Sequence, residues 1–323
     1  MGAVFRARNT PNHNPEAQKV RYRGYEQGSE SERRFMREAR VAGSLGHPNI
    51  VEVFDLGHLD GGIPFQVMEL LEGQSLAQRV HQEGPLSEAE ALDIAAQVLS
   101  ALEAAHERGV IHRDLKPENV FLTERRGETV AKLLDFGVSK SLTEQTMSMT
   151  MTGVVVGTPY YLSPEQARGD REVDHRIDIW AMGVLLYESL TGVLPFNAES
   201  YEKLLVKILK QRPVPPSRFQ PRISPSVEEV ILRALSPDAA DRPASAQIML
   251  EDLREAGRAA REAFRAFGHD TLQDAQAVMP RFQSADATVK TQALPGPEDP
   301  TEVSDSFVSE DLRVVLERGK EKP

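Results

Sequence analysis

The stretch VIHRDLKPENVFL at residues 110–122, followed by KLLDFG at residues 132–137, decides how this chain is interpreted. Asp114 and Asn119 stand five residues apart in a predicted loop, and Asp135 follows an apolar pair at the end of a predicted strand. Carboxylate and amide oxygens are ligands that magnesium prefers, and a remaining carboxylate can accept a proton from a hydroxyl group. The spacing therefore predicts a site that binds magnesium and activates a hydroxyl.

The composition of the chain limits its size class and its partners. With 323 residues and 40% hydrophobic content, it exceeds what one core normally fills, about 250 to 300 residues, so two lobes or a domain with a tail are expected. The formal charge of −11 argues against sequence-independent binding of nucleic acid or anionic lipid. The absence of cysteine excludes disulfides and thiolate chemistry, and no apolar stretch approaches the roughly 20 residues of a membrane helix. We expect a folded, cytoplasmic protein.

Sequence periodicity divides the chain into three parts. Residues 1–72 combine strand-like runs such as PFQVMEL with one helix that begins at a capping box of Ser29 and Glu32. Residues 73–265 are dominated by helical periodicity, which is clearest in LSEAEALDIAAQVLSALEAAHERG. Residues 266–323 are rich in Pro, Ser, Thr, Asp and Gln, so a flexible acidic tail with one short helix is predicted. The predicted fold class is α+β.

Together, the motifs HRDLKPEN, DFG, GTPYYLSPEQ and DIWAMGVLLYE resemble those of the protein kinases, specifically the bacterial Ser/Thr branch of the eukaryotic-like (Hanks-type) family. The resemblance runs from Met1 to about Phe264. It implies a two-lobed fold with a small β-rich N-lobe, a larger helical C-lobe, and ATP with Mg²⁺ as cofactors. Small-molecule phosphotransferases with an H-x-D-x-x-x-x-N loop are a rival class, but they are expected to lack the GTPYYLSPEQ segment.

The resemblance implies a role for each polar residue of the central loop. Asp114 is the expected base that orients the substrate hydroxyl and accepts its proton, and Lys116 is expected to steady the γ-phosphate. Asn119 and Asp135 are the expected ligands of two magnesium ions that neutralise charge on the transferred phosphoryl group. Lys116 and Thr158 also indicate protein Ser or Thr, not Tyr, as the acceptor.

Three further positions are implied to support the site. Glu165 lies in Ser-Pro-Glu, where many relatives have Ala-Pro-Glu, and is expected to pair with Arg242 in DAADRPASA. Breaking such a buried pair costs roughly 3 to 5 kcal/mol. Asp178 is expected to accept hydrogen bonds from the backbone of the catalytic loop and to keep that loop in shape.

The segment between DFG and Ser-Pro-Glu is rich in hydroxyl groups and poor in acids. Arg113 precedes the catalytic aspartate, and in kinases with that arginine a phosphate on this segment can pair with it and order the segment. Thr150 and Thr152 are the expected autophosphorylation sites. The alternative is that these hydroxyl groups only solubilise a mobile loop.

The segment VMELLEGQSL resembles the hinge that binds adenine in kinases. In it, Met68 is the gatekeeper, and the carbonyl of Glu69 and the amide of Leu71 are expected to meet the adenine edge. A packing role in the core is the alternative for the apolar residues expected around the ring. These residues are Val4, Ala17 and Phe121.

The strand that should carry the nucleotide-binding lysine departs from the family pattern. EAQKV replaces the usual Val-Ala-Ile-Lys and loses the apolar alternation of a buried strand. Lys19 keeps the alignment and is the only lysine before Lys116. If an amine neutralises the α- and β-phosphates by pairing with an acid on the first helix, that amine must be Lys19, and Glu38 in RRFMREARVAG fits as the acid.

The first residues, MGAVF, align with the end of a Gly-x-Gly-x-x-Gly-x-Val loop, in which Gly2 is the third glycine and Val4 the valine. Two of three glycines and the first strand of the sheet are missing from this alignment, which removes backbone amides that approach phosphate. Because every downstream catalytic residue is intact, we favour a start assigned too late over a genuine short form with weak activity.

Two functional hypotheses follow from these motifs. The first is an enzyme that phosphorylates protein Ser or Thr residues and itself. The second is a pseudokinase or scaffold that binds partners through the helical lobe and the tail, in which DATVKTQ could be phosphorylated and recognised by a partner domain. The intact Asp114, Asn119 and Asp135 favour the enzyme, whereas the incomplete loop and the EAQKV strand favour the scaffold.

Overall fold

The computed structural model of this chain describes residues 2–8, 15–21, 29–59, 62–136, 159–170 and 172–267. The expected phosphorylation sites Thr150 and Thr152 lie outside these residues, as does the expected tail from residue 268 onward. Within the described ranges, the α+β class is confirmed, with a strand-rich N-terminal lobe and a mostly helical C-terminal lobe. The boundaries between the lobes and the tail remain predictions from the sequence.

The N-terminal lobe is a four-stranded antiparallel sheet packed against one helix. Its elements are β1 (Gly2–Arg8), β2 (Pro15–Arg21), α1 (Glu30–Leu45), β3 (Val53–His58) and β4 (Pro64–Glu69), and the strand order is β1-β2-β4-β3. Helix α1 begins where predicted: the Ser29 hydroxyl accepts a hydrogen bond of 3.3 Å from the backbone N–H of Glu32. It ends at Gly46, whose φ of 58° is left-handed and suits a glycine.

Strand β2 is central although its sequence is polar. It pairs with β1 on one side and with β4 on the other, so both of its edges are hydrogen bonded. Its polar residues Glu16 and Gln18 are also only 9% and 5% exposed. Position in the sheet has therefore outweighed the missing apolar alternation of EAQKV, because strand formation depends more on neighbours than on intrinsic preference.

The C-terminal lobe surrounds a buried helix and carries a small three-stranded sheet. Its helices are α2 (Leu76–Glu83), α3 (Glu88–His106), α4 (Pro164–Arg168), α5 (Arg176–Thr191), α6 (Tyr201–Lys210), α7 (Pro225–Ala234) and α8 (Ala246–Phe267). Its strands are β5 (Gly73–Ser75), β6 (Val120–Arg125) and β7 (Glu128–Leu133), in the order β5-β6-β7. Helix α5 is mostly buried on all sides because protein surrounds it, as Trp180 and Tyr187 illustrate. No helix within the described residues combines the length and apolar content that crossing a membrane requires.

The loop after α1 ties the two lobes together beside the predicted magnesium ligand. The backbone N–H of Val51 donates to the carbonyl of Leu133 at 2.9 Å, and the N–H of Leu133 donates to the carbonyl of Asn49 at 2.8 Å. The guanidinium of Arg108 donates to the carbonyl of Leu45 at 2.8 Å. Strand β7, which leads to Asp135, is therefore anchored to both lobes.

Helix α5 packs closely on α7 at Gly183. One added methyl group at this position is therefore expected to destabilise the fold. A Cβ at Gly183 would lie 3.0 Å from Cβ of Ala234 and 3.1 Å from Cδ2 of Leu235. Gly183→Ala is expected to lower the free energy of unfolding by about 1 to 3 kcal/mol, because overpacking forces the two helices apart.

Gly43→Ala on α1 is the matched control. There a Cβ would meet only ordinary contacts, the nearest being the Val53 carbonyl oxygen at 3.4 Å. Alanine should raise the free energy of unfolding by up to about 1 kcal/mol, since it is the better helix former. Urea unfolding measures both variants. A Gly183→Ala protein as stable as Gly43→Ala would contradict the described packing.

Candidate active site

The backbone of the central loop is held by the carboxylate of Asp178, in the first turn of α5. Its Oδ2 accepts a hydrogen bond of 2.8 Å from the N–H of His112, and its Oδ1 accepts one of 2.9 Å from the N–H of Arg113. Arg113 has a φ of 65°, a left-handed conformation that costs free energy for a residue with a Cβ. The carboxylate therefore fixes a backbone shape that an unsupported arginine would rarely adopt.

The ring of His112 connects this loop to the end of β7. Its Nε2 donates to the carbonyl of Leu134 at 3.0 Å, while its Nδ1 accepts from the N–H of Asp114 at 3.3 Å. The ring also packs against Phe136, with centroids 4.7 Å apart. Burial lowers the pKa of His112, although the carboxylates of Asp178 and Asp114 act to raise it. The ring is neutral, with its proton on Nε2.

Two polar side chains of the central loop converge on the carboxylate of Asp114. Asn119 ends a short 3₁₀ turn, and its Nδ2 donates to the backbone carbonyl of Asp114 at 2.7 Å and to Oδ2 of the same residue at 3.1 Å. The ammonium of Lys116 lies 3.4 Å from the same Oδ2. These contacts fix the rotation of the Asp114 carboxylate.

Asp135 meets a residue of the other lobe. The ammonium nitrogen of Lys19, on β2, lies 2.5 Å from both carboxylate oxygens of Asp135. Asp135 has a φ of 35°, the second left-handed non-glycine residue at this site after Arg113. Glu38 is half-buried on α1, and its pairing with Lys19 stays a prediction. The structure thus brings Lys19 and Asp135 together across the cleft between the lobes.

The oxygen donors at this cleft suit magnesium bound to a phosphate ligand. The amide oxygen of Asn119 makes no hydrogen bond to a described residue, and Asp135 supplies a carboxylate. The part of the chain that the structure describes contains no group of three or more His, Cys, Asp or Glu side chains able to hold a metal ion alone. Magnesium typically takes one or two protein ligands and completes its shell with phosphate oxygens and water, which fits this donor set.

The register of the N-terminal sheet places four of the expected nucleotide-binding residues on one face. Val4 lies directly opposite Lys19, and Ala17 lies directly opposite Met68. Directly opposed residues share a face, as do residues two apart on one strand, so these four side chains share a face. Val4 is 59% exposed, whereas Ala17 is buried.

The remaining expected nucleotide residues occupy nearby elements. Gly2 lies opposite Arg21 at the end of the β1–β2 pair. Phe121 is half-buried on β6, opposite Ser75 of β5. Leu71 is half-buried in the connection between β4 and β5. Contact of these residues with a nucleotide stays a prediction.

The side chain of Glu69 has a structural role that the sequence analysis missed. Its Oε1 lies 2.5 Å from Nζ of Lys132 and accepts from the N–H of Glu52 at 2.9 Å, while its Oε2 accepts from Arg125 at 3.0 Å. Lys132 is only 4% exposed and also donates to the carbonyl of Ile50 at 3.4 Å. The available signal was a lysine inside an apolar strand, VAKLL, because a buried ammonium requires a partner.

Glu165 and Arg242 form a buried, bidentate ion pair. The two guanidinium nitrogens lie 2.7 Å and 2.8 Å from the two carboxylate oxygens. The guanidinium also donates to the carbonyls of Ser236 at 2.9 Å and Arg176 at 3.1 Å, and it stacks over Trp180 at 5.1 Å from the ring centroid. Such complete hydrogen bonding offsets the cost of removing two charges from water.

The sequence of this chain is similar to those of known proteins. Residues 1–253 match a family model described as "Protein kinase domain". The serine/threonine-protein kinase pkn3 of Myxococcus xanthus is 43% identical over 304 residues, which cover 92% of this chain and 55% of the relative. PknB of Mycolicibacterium smegmatis is 40% identical over 223 residues, which cover 68% of this chain and 35% of the relative. The chain thus spans between 35% and 55% of the length of these relatives.

Solved structures with the same fold include bacterial and other proteins. The kinase domain of PknI from Mycobacterium tuberculosis has a TM-score of 0.60 and 29% identity, with coverage of 79% of this chain and 91% of PknI. Rad53 residues 1–466, solved in complex with AMP-PNP, has a TM-score of 0.64 and 28% identity, with coverage of 78% and 61%. Both likenesses extend over the two lobes described above.

Substitutions of the two members of this buried ion pair are expected to have strongly non-additive effects on the free energy of unfolding. Arg242→Met should lower the free energy of unfolding by about 3 to 5 kcal/mol, because it leaves the charge of Glu165 buried without a partner. Glu165→Gln in the same protein should recover part of that loss, since it removes the unpaired charge. Urea unfolding of both single variants and the double variant measures the coupling. Strictly additive losses would contradict the described pair.

The lowered pKa of His112 predicts loss of stability on mild acidification. Below its ordinary pKa of 6.5 the ring binds a proton in the unfolded chain but stays neutral in the folded one. Its contribution is therefore fully present above that pH and is lost as the pH falls toward the lowered folded value. Urea unfolding at about pH 7.5 and about pH 5.5 measures the slope. His112→Phe should flatten it, and an unchanged slope in this variant would contradict the assignment.

Proposed function

This chain belongs to the protein kinase family, and on that premise we propose that it transfers the γ-phosphate of ATP to Ser or Thr hydroxyls of proteins, including its own. The observation that carries the proposal is the convergence of Asn119 and Lys116 on the carboxylate of Asp114. Relatives that are named serine/threonine-protein kinases support the acceptor class. The AMP-PNP of the Rad53 complex supports an adenine nucleotide as the ligand.

We assign the triphosphate to the cleft between the lobes. Asn119 and Asp135 hold the magnesium ions, which when bound neutralise charge on the phosphoryl oxygens. Lys19, already beside Asp135, supplies positive charge for the α- and β-phosphates, with Glu38 of α1 as its proposed partner. The amides near Gly2 approach the phosphates from the edge strand β1.

We assign the adenine to the shared face of the N-terminal sheet and the connection that follows β4. The carbonyl of Glu69 and the amide of Leu71 hydrogen bond the adenine edge, next to the gatekeeper Met68. This assignment is compatible with the contacts of the Glu69 side chain, because they engage its carboxylate and leave its carbonyl for the ligand. The apolar residues around the ring are Val4, Ala17 and Phe121.

In the proposed reaction, the acceptor oxygen forms a bond to the γ-phosphorus while the bond from that phosphorus to the oxygen of ADP breaks. The hydroxyl proton passes to Asp114. Lys116 stabilises negative charge on the transferred group, at 3.4 Å from the carboxylate that receives the proton. Because phosphoryl transfer depends mainly on positioning, the contacts that fix the Asp114 carboxylate matter as much as its basicity.

The proposed supporting residues act on the shape of the loops. Asp178 holds the catalytic loop through two backbone amides. Glu165 and Arg242 tie the end of the substrate segment to the C-terminal lobe. Arg113 is proposed to bind a phosphate on Thr150 or Thr152, both outside the described residues.

Asp114→Asn tests the proposal directly. The wild-type protein, with ATP, Mg²⁺ and a basic protein acceptor, should incorporate phosphate into itself and the acceptor. Asp114→Asn should lower the rate by about 10²- to 10⁴-fold, the usual contribution of a general base. Radiolabel incorporation into Ser and Thr residues measures both. Asp93→Asn, on the exposed face of α3, is the matched control and should leave the rate unchanged.

Two outcomes would contradict the proposal. Equal incorporation by wild type and Asp114→Asn would remove Asp114 from the reaction. Nucleotide binding without any incorporation by wild type would favour the scaffold hypothesis instead.

A further inference from the structure

We propose that His106 is a positioning residue for phosphoryl transfer, which acts through Asp178 on the backbone of the catalytic loop. The inference deepens the proposed function and rests on it. His106 is the last residue of α3; it precedes the stretch at residues 110–122 and is not part of any motif that defines the site. Its described side-chain contacts are with Asp178 and His175 and not with a proposed reacting group, so its effect on those groups is indirect.

The side chain of His106 completes the hydrogen bonding of Asp178. Its Nε2 donates to Oδ2 of Asp178 at 2.8 Å, and the two side chains are only 6% and 1% exposed. The same Oδ2 accepts from the N–H of His112, while Oδ1 accepts from the N–H of Arg113. The carboxylate therefore has three donors, two from the loop and one from a different element.

The hydrogen bond from His106 has a different effect from those of the loop amides, because His106 lies outside the loop. A carboxylate that is held by loop amides alone can rotate and shift together with the loop. His106 belongs to α3 and Asp178 to α5, so their hydrogen bond ties the carboxylate to a second packed helix. The carboxylate thereby becomes a fixed reference for the left-handed conformation of Arg113, whose φ is 65°.

The electrostatic environment of Asp178 supports the same positioning role for His106. Burial acts to raise the pKa of Asp178, but the hydrogen bond from the His106 side chain, followed by that from the His112 backbone, lowers it below the ordinary value. Asp178 is therefore ionised at neutral pH. Hydrogen bonds to an ionised acceptor are roughly twice as strong as neutral ones, so the two loop amides are held more firmly.

A packing role alone does not account for a histidine at this position. Its Nδ1 is buried and has no hydrogen-bond partner among the described residues, which costs free energy that an apolar ring would avoid. The ring lies 5.2 Å from that of His175, whose Nε2 donates instead to the carbonyl of Ala244 at 2.8 Å. The hydrogen bond from Nε2 to Asp178 offsets the free-energy cost of leaving Nδ1 without a partner.

Two substitutions in the full chain separate the hydrogen bond from the packing. His106→Phe keeps a ring of similar shape without a donor, and His106→Gln keeps an N–H donor at a similar reach. His106→Phe should lower kcat by about 10- to 100-fold, the range for one hydrogen bond to a charged group, with the KM for ATP changed by less than about 3-fold. His106→Gln should stay within about 3-fold of wild type in both constants.

A second measurement does not depend on catalysis. Amide hydrogen exchange of residues 111–115 should become faster in His106→Phe and stay near wild type in His106→Gln. His175→Phe is the matched packing control and should leave kcat unchanged, since His175 meets Asp178 through its backbone carbonyl, which accepts the Asp178 N–H at 3.0 Å and is kept in the variant. If His106→Phe does not fold, His106→Met, which fills the space without a donor, takes its place.

These measurements test the role of His106 separately from the proposed function. Wild-type kcat and exchange in His106→Phe would overturn it, and so would equal losses in His106→Phe, His106→Gln and His175→Phe, which would indicate packing alone. If the wild-type protein transfers no phosphate, the proposed function fails, and the exchange rates still decide whether His106 holds the loop.

Discussion

The hydrogen bonds that Asp178 accepts from two successive amides are the constraint on which the site depends. They hold Arg113 in a left-handed conformation and so set where the next residue, Asp114, points. A buried carboxylate can do this because it is ionised and surrounded by donors, which makes each bond stronger than its neutral counterpart. The loop that carries the chemistry therefore takes its shape from the buried helix beneath it.

The other half of the site comes from the joint between the lobes. Lys19 reaches Asp135 from the N-terminal sheet, while Glu69 at the end of β4 holds Lys132 on the strand that leads to Asp135. Both contacts connect the lobes through opposite charges. A movement of one lobe relative to the other would therefore displace Asp135, the proposed magnesium ligand.

Local signals in the sequence predicted helix starts and the helical C-terminal lobe, whereas the two-lobed fold came from the resemblance to kinase motifs. Caps such as Ser29 and helical periodicity depend on residues a few positions apart, so they can be read directly. Contacts across long separations were missed where no motif marks them, as with Lys132 and Glu69 or His106 and Asp178. The polar strand EAQKV was also harder to interpret, because its central position is set by strands on both sides and not by its own composition.

The central claim is that Asp178 shapes the catalytic loop without touching the substrate. The most direct measurement is the single-turnover rate of phosphate transfer by Asp178→Asn at saturating ATP and Mg²⁺, beside its affinity for the nucleotide. The account predicts a rate at least about 10-fold lower, with affinity changed by no more than a few fold, since one oxygen acceptor is replaced by a donor. A rate equal to that of the wild-type protein would contradict it.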